Sequence, residues 1–162
     1  MFIVDIDGCV FDNNHRKELI PQVAHSPACW ARFNEACDKD LPIYPVINFV
    51  NQLSKAHGKL VNFVTSRGEA SYQSTTKQLQ AYFSGFELYM RPMTDNRHTV
   101  DYKRSVFTKM PLTKSSIIID DHPEIIEMVR NEFSYVKAVL VQSHDCTVDI
   151  STTLKIDNLL NK

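Results

Sequence analysis

Glycine, cysteine and excess charge are all scarce in this chain of 162 residues. Its four glycines leave no flexible linker, and no GxxxxGK[ST] loop occurs anywhere, which excludes a P-loop kinase. The four cysteines, Cys9, Cys29, Cys37 and Cys146, form no CxxC pair and no dense framework, so they read as reduced thiols of a cytosolic protein. A zinc site from His25, Cys29 and Cys37 would match no common ligand spacing. Eighteen basic residues against nineteen acidic ones leave a net charge of -1, so the chain as a whole has no electrostatic footprint for nucleic acid or an anionic membrane. Any polyanion has to be met locally. No apolar run approaches the roughly 20 residues that span a bilayer, and the first strand starts directly after Met1, leaving no room for a leader peptide. The expectation is a soluble, cytoplasmic protein with no membrane partner.

At 43% hydrophobic residues, the length suits one well-buried core, and a single domain over residues 1–162 is expected. Short continuous apolar runs predict strands at FIVDI (2–6), KLVNFVT (59–65), FELYM (86–90), SIIID (116–120) and VKAVLV (136–141). Between them, helical apolar spacing links Val46, Ile47, Phe49, Val50 and Leu53, then Tyr72, Leu79 and Phe83, then Val100 to Met110. A last helix, opened by Pro123, holds Ile125, Ile126, Met128 and Val129. This alternation predicts an α/β fold, a Rossmann-like parallel sheet sandwiched by helices. The polar stretch 9–45 interrupts the rhythm and predicts a small cap or insert after the first strand, with a short helix near Ala28 to Cys37 between irregular arms.

Parallel sheets place their sites at the carboxyl ends of strands. Those ends carry Asp5 and Asp7, then Thr65, Ser66 and Arg67, then Arg91, then Asp120 and Asp121. Singly each is ordinary: DxDG is turn material, TSRG or the paired aspartates could cap a following helix, and one helical Lys103 is a solvated side chain. Together they fall in a consistent order along one edge of one sheet. Converging carboxylates raise one another's pKa unless a cation joins them, and a hard divalent ion, most naturally Mg²⁺, resolves the conflict. The set fits phosphoryl transfer. One carboxylate attacks phosphorus in line, a second acid two residues on protonates the leaving oxygen, and Mg²⁺ with a lysine neutralises the equatorial oxygens. Hydroxyl and N–H groups at the start of a helix after Ser66 would hold another oxygen. Gly8 lets the chain turn away sharply after the pair.

The motifs DIDGC, TSR, Lys103 and IIIDDHPE resemble, in order and over nearly the whole chain, the four motifs of the haloacid dehalogenase superfamily of phosphohydrolases. An acid at Asp7 marks the phosphatase members. The resemblance implies a HAD-like fold with Asp5 as nucleophile, carrying an aspartyl-phosphate, and Asp7 as general acid and then base. It implies Thr65, Ser66 and Lys103 on the phosphoryl oxygens. It places Asp5, the backbone carbonyl of Asp7 and Asp120 on Mg²⁺, with Asp121 as an auxiliary metal residue. A finer resemblance rests on HRKELI (15–20), the WxxFxxxCDxDxP pattern (30–42) and RPMTDNRHTVDYK (91–103). These segments are similar to the phosphatase domain of phage-type polynucleotide kinase 3'-phosphatases, whose stand-alone relatives occur in phages and bacteria. They imply a phosphorylated nucleic-acid end or nucleotide as substrate, and Arg67, Arg91, Asp95 and Arg97 as substrate-binding residues. Arg91, Arg97, His98, Lys103 and Arg104 also supply local positive charge, and arginines suit bidentate phosphate contact.

The chain departs from that pattern at Cys9, where Thr is usual, at His98, where Pro is common, and at His122, where Arg often follows the paired aspartates. Cys9 itself is no expected nucleophile, because the neighbouring carboxylates make its thiolate scarce. Three alternatives stay open. A 5'- or 3'-nucleotidase or another small-molecule phosphatase would use the same chemistry. A receiver-like phosphoacceptor would place its paired acids first and a lone phosphorylated Asp after a middle strand. A degenerate binding module would have lost a motif. Trp30, Phe33 and Tyr44 in the insert offer faces on which a terminal base could stack. Edge strands at FELYM or VKAVLV could support a dimer; the oligomeric state is left open.

Overall fold

The computed structural model describes residues 1–23 and 26–141, so His25 and Cys146 lie outside the described residues. Seven strands run in chain order: β1 (Phe2–Val4), β2 (Phe11–Asp12), β3 (Leu41–Pro42), β4 (Val61–Gly68), β5 (Phe86–Arg91), β6 (Ile117–Asp120) and β7 (Lys137–Leu140). Five helices accompany them: α1 (Ala31–Glu35), α2 (Tyr44–His57), α3 (Tyr72–Gln80), α4 (Thr99–Lys109) and α5 (Pro123–Glu132). Five strands form a parallel sheet in the order β5-β4-β1-β6-β7. The expected α/β sandwich is therefore present, with β5 and β7 outermost among the described residues. No helix among the described residues is long and apolar enough to cross a membrane.

Alternation along each strand divides the core. Phe2, Val4, Phe63, Ile117 and Ile119 face one side and pack on Val46, Phe49, Val50 and Leu53 of α2 and on Leu79 of α3. Ile3, Val64 and Ile118 face the other side and meet Phe107 of α4 and Ile125, Met128 and Val129 of α5. Each such fully buried side chain contributes about 1.5–3 kcal/mol relative to exposure, which is why these runs settle as central strands. From β1 the chain steps outward to β4 and β5, then returns to β6 on the other flank of β1. The sheet order reverses at β1, the position beyond whose carboxyl end open α/β sheets bind their ligands.

Three details differ from the sequence reading. The arms of the insert are not wholly irregular, because β2 and β3 pair antiparallel, Phe11 with Pro42 and Asp12 with Leu41, and close its base. The helix expected near Ala28 to Cys37 is the five-residue α1 between 3₁₀ turns at Pro27–Trp30 and Ala36–Lys39; Pro27 and the run of Asn34, Cys37 and Asp38 discourage anything longer. Finally, β4 continues to Gly68 through a register shift after Thr65, and helical turns start only at Glu69. The N–H groups after Ser66 therefore belong to a strand, not to a helix start.

Candidate active site

Asp5 sits where β1 leaves the sheet, its N–H donating to the Ile119 carbonyl of β6 at 2.9 Å. From α4, the buried Lys103 extends its Nζ to 2.7 Å from Asp5 Oδ1 and 2.6 Å from Asp120 Oδ2. Asp5, Asp120 and Asp121 each offer an oxygen, and these oxygens lie within 4.8 Å of one another. One ammonium faces three carboxylates. Burial, followed by the charges of Asp120 and Asp121, pushes the Asp5 carboxyl well above its usual range despite Lys103. Burial and Asp120 push Asp121 up to about 7. The donors are all hard oxygens and the cluster is short of positive charge, so it fits a divalent cation such as Mg²⁺. Gly8 makes room for this corner. Its φ is 75°, and a Cβ there would lie 2.1 Å from Asp121 Oδ2, so both conformation and space require glycine.

Asp7, two residues along, faces the opposite electrostatic environment. Arg67 holds it with Nη2 at 2.7 Å and Nε at 3.1 Å, and Arg16 Nη2 donates to its Oδ1. Both guanidiniums are buried. Between them lies Asp40 at the end of the insert, whose Oδ2 accepts from Arg16 Nη2 and from Arg67 Nη2 at 2.7 Å each. Its Oδ1 takes Arg16 Nε at 2.7 Å and pairs with His15 Nε2 at 2.9 Å. Gln78 and Thr75 of α3 receive the remaining Arg67 Nη1 donors at 2.9 and 3.3 Å. Burial pushes the Asp7 carboxyl upward, but Arg67 and then Arg16 outweigh it and hold it below its ordinary value. Phe33, expected as a stacking face, lies buried with the Arg16 guanidinium 4.0 Å from its ring centre and donating to its carbonyl at 3.0 Å. Trp30 packs edge-on against Phe33, while Tyr44 stays exposed beside Tyr82.

A third group lines the ends of β4 and β5. Thr65 is buried, and its Oγ1 accepts the Arg67 N–H at 3.1 Å, so it caps no helix. Ser66 Oγ accepts from Arg91 Nη2 at 3.2 Å and from Thr99 Oγ1 at 3.0 Å. Arg91 is also buried, 4.8 Å above the Tyr102 ring, with Nη1 donating to the Arg97 carbonyl at 2.5 Å. Asp95 and the half-exposed Arg97 form an ion pair of their own, which pulls the Asp95 carboxyl down to about 2. Cys9 is buried with its Sγ toward the Ile119 carbonyl, and burial first, then Asp5, pushes its thiol well up.

Of the residues singled out from sequence, Asp5, Lys103, Asp120 and Asp121 meet at one point. The Asp7 carboxylate turns to arginines instead, which leaves its backbone carbonyl as the group named for metal. Arg67 and Arg91 are enclosed, whereas Arg97 stands half-exposed over the largely covered Asp95 side chain, beside a cavity of about 550 Å³ that both line with Pro92, Thr94 and Asn96. Arg16 and Asp40 were missed as site residues. Their signal lay inside HRKELI and the CDxDxP pattern, an arginine and a carboxylate in an insert with no apolar face to explain them.

A sequence profile described as the polynucleotide kinase PNKP phosphatase domain matches residues 1–145. Comparison with curated proteins finds no match. Among solved structures, a chain of the Pnkp1/Rnl/Hen1 complex is 25% identical with a TM-score of 0.67, over 89% of this chain and 46% of its own. A chain of the Pnkp1/Rnl/Hen1 RNA repair complex gives 23% and 0.68, over 89% and 42%. The N-terminal part of BF1531 from Bacteroides fragilis, containing a phosphatase domain complexed with Mg, gives 15% and 0.53, over 99% and 39%. This chain thus spans less than half the length of each. By its profile match and its fold, the chain belongs to the polynucleotide kinase PNKP phosphatase domain family and is a phosphatase of the haloacid dehalogenase type.

Proposed function

We propose that this chain acts as one catalytic domain, with residues 9–45 as its insert, and removes the 3'-phosphate from a nucleic-acid end with Mg²⁺ as cofactor. The observation that carries the chemistry is the pair Asp5 and Asp7, two residues apart and held by opposite surroundings. Asp5 attacks phosphorus in line, forming an aspartyl-phosphate as the ester P–O bond breaks, and Asp7 gives its proton to the departing 3'-oxygen. The approach of a phosphate dianion opposes the two arginines and favours the protonated Asp7 that this step needs. Water then attacks the phosphoaspartate, Asp7 takes its proton, and inorganic phosphate leaves with Asp5 restored. Lys103 orients Asp5 and, with Thr65 and Ser66, meets the phosphoryl oxygens. Asp5, Asp120 and Asp121 with the Asp7 carbonyl would hold Mg²⁺, which when bound neutralises charge on the transferring group. Asp95 and Arg97, at the rim, meet the rest of the substrate.

The family match, to a phosphatase domain of a polynucleotide kinase, supports a polynucleotide substrate over a free nucleotide. Phosphate release should be measured with Mg²⁺ and with EDTA from matched oligonucleotides bearing a 3'- or a 5'-phosphate, beside 3'- and 5'-mononucleotides. Selective Mg²⁺-dependent release from the 3'-phosphorylated oligonucleotide is expected. Preference for mononucleotides would keep the chemistry and discard the polynucleotide substrate.

A further inference from the structure

Arginine carries five N–H donors and no acceptor, so every hydroxyl it touches must accept from it. Arg91 Nη2 donates to Ser66 Oγ at 3.2 Å and to Thr99 Oγ1 at 3.1 Å. Thr99, with a lone pair so occupied, gives its own proton to Ser66 Oγ at 3.0 Å. A serine oxygen has two lone pairs and one proton. Both lone pairs of Ser66 are taken, and among the described residues its proton has no acceptor.

The location of that proton follows from α4. Thr99 and Lys103 are four residues apart and share a helix face, and Lys103 reaches Asp5 at 2.7 Å. Val64, two residues before Ser66 on β4, packs on the same α4 side of the sheet. The hydroxyl therefore stands on the flank from which Lys103 enters the site. Arg91 is 8% exposed, lies over Tyr102 and is tied to the Arg97 carbonyl, so the Nη2 that serves Ser66 and Thr99 is held in place within the protein.

Resting on the phosphatase reading above, we propose that Arg91 and Thr99 lock the Ser66 hydroxyl as a one-way donor to a phosphoryl oxygen. Ser66 touches the substrate; Arg91 and Thr99 are positioning residues. A free hydroxyl rotates between donating and accepting, whereas this one has a single use left and is polarised by a cation through two bonds. A donor fixed in advance stabilises charge gathering on the transferring group without reorganisation. This differs from the sequence expectation that Arg91 binds substrate itself.

The test uses the full chain with Ser66→Ala, Thr99→Val, Thr99→Ser and the Ser66→Ala/Thr99→Val pair. Hydrolysis of p-nitrophenyl phosphate and of a 3'-phosphorylated oligonucleotide would be measured, with inorganic phosphate as competitive inhibitor and thermal unfolding as a check on folding. Ser66→Ala should lower kcat on both substrates by about 10- to 100-fold, the weight of one lost charge-stabilising hydrogen bond, and weaken inhibition by phosphate. Thr99→Val should lose part of that, Thr99→Ser should restore it, and Thr99→Val should cost less than about twofold once Ser66 is already alanine. Independent, multiplying losses would overturn the relay, as would a Ser66→Ala chain as active as wild type. Arg91→Gln raising KM for the oligonucleotide alone would return Arg91 to direct substrate contact and also overturn it. A wild-type chain inert on both substrates would instead remove the phosphatase reading, and this inference with it.

Discussion

Asp5 and Asp7 are the same residue type two positions apart, yet their surroundings are opposites. Asp5 shares one lysine with Asp120 and Asp121 and is pushed toward its protonated form. Asp7 has two buried arginines and is held ionised. The first half of the site is short of positive charge and calls for a cation from outside. The second supplies its own and needs a counter-charge, Asp40, to keep two guanidiniums side by side. Two carboxylates thereby acquire opposite electrostatics without any difference in their own chemistry, as the two tasks proposed for them require.

The contrast breaks most completely at Asp5. Asp5→Asn should cut turnover at least about 1,000-fold, since an amide is a poor nucleophile, with the far-ultraviolet circular dichroism unchanged; residual turnover above about a per cent would refute the assignment. Asp7→Asn should slow the first, phosphoryl-transfer step about 100- to 10,000-fold on a 3'-phosphorylated oligonucleotide but much less on p-nitrophenyl phosphate, whose leaving group needs no acid, so that p-nitrophenol appears in a burst ahead of the slowed hydrolysis of the phosphoaspartate. Equal losses in that first step on both substrates would deny Asp7 the acid role. For the metal half, Mg²⁺ at 100 times its dissociation constant should stabilise the chain by about 2.7 kcal/mol, several degrees in a melting experiment, and Asp120→Asn should abolish the shift while leaving the Arg16–Asp40–Arg67 network alone. The smallest effect is in pH. Asp121 has its folded-state pKa raised from 3.8 to about 7, so in that window the folded chain binds more protons than the unfolded one. Stability in EDTA should fall as pH rises from 3.8 toward 7, and a denaturation series with Asp121→Asn should flatten that slope.

How far the sequence reveals these halves depends on distance along the chain. Strands and helices were legible because burial on both sheet faces writes continuous apolar runs such as IIID. The acidic half was legible because its carboxylates sit in short motifs at strand ends, where the fold brings separate motifs together. The arginine half was only partly so: Arg67 stands at a strand end, but Arg16 and Asp40 reach it from an insert without periodicity, and the charges in HRKELI do not tell which is enclosed, Arg16, and which is exposed, Lys17. Arg91 shows the same limit: its motif marks it as a candidate site residue, but its burial beside Ser66 and Thr99 is written nowhere in that motif. The continuation of β4 past Thr65 was likewise hidden, because TSRG has the composition of a helix start.

The small two-stranded base of the insert has a further consequence. By pairing Phe11 with Pro42, it fixes the spacing between the end of the first strand and Asp40, and so couples a segment that looks interchangeable to the proton chemistry of Asp7. Deleting residues 13–40 could leave the parallel sheet intact, but it would strip Asp7 of Arg16 and Asp40. A chimera that borrows another phosphatase's cap would have to bring a matching arginine and carboxylate to keep the surroundings of Asp7, so under the proposed mechanism the insert is inherited with the acid and not traded for specificity.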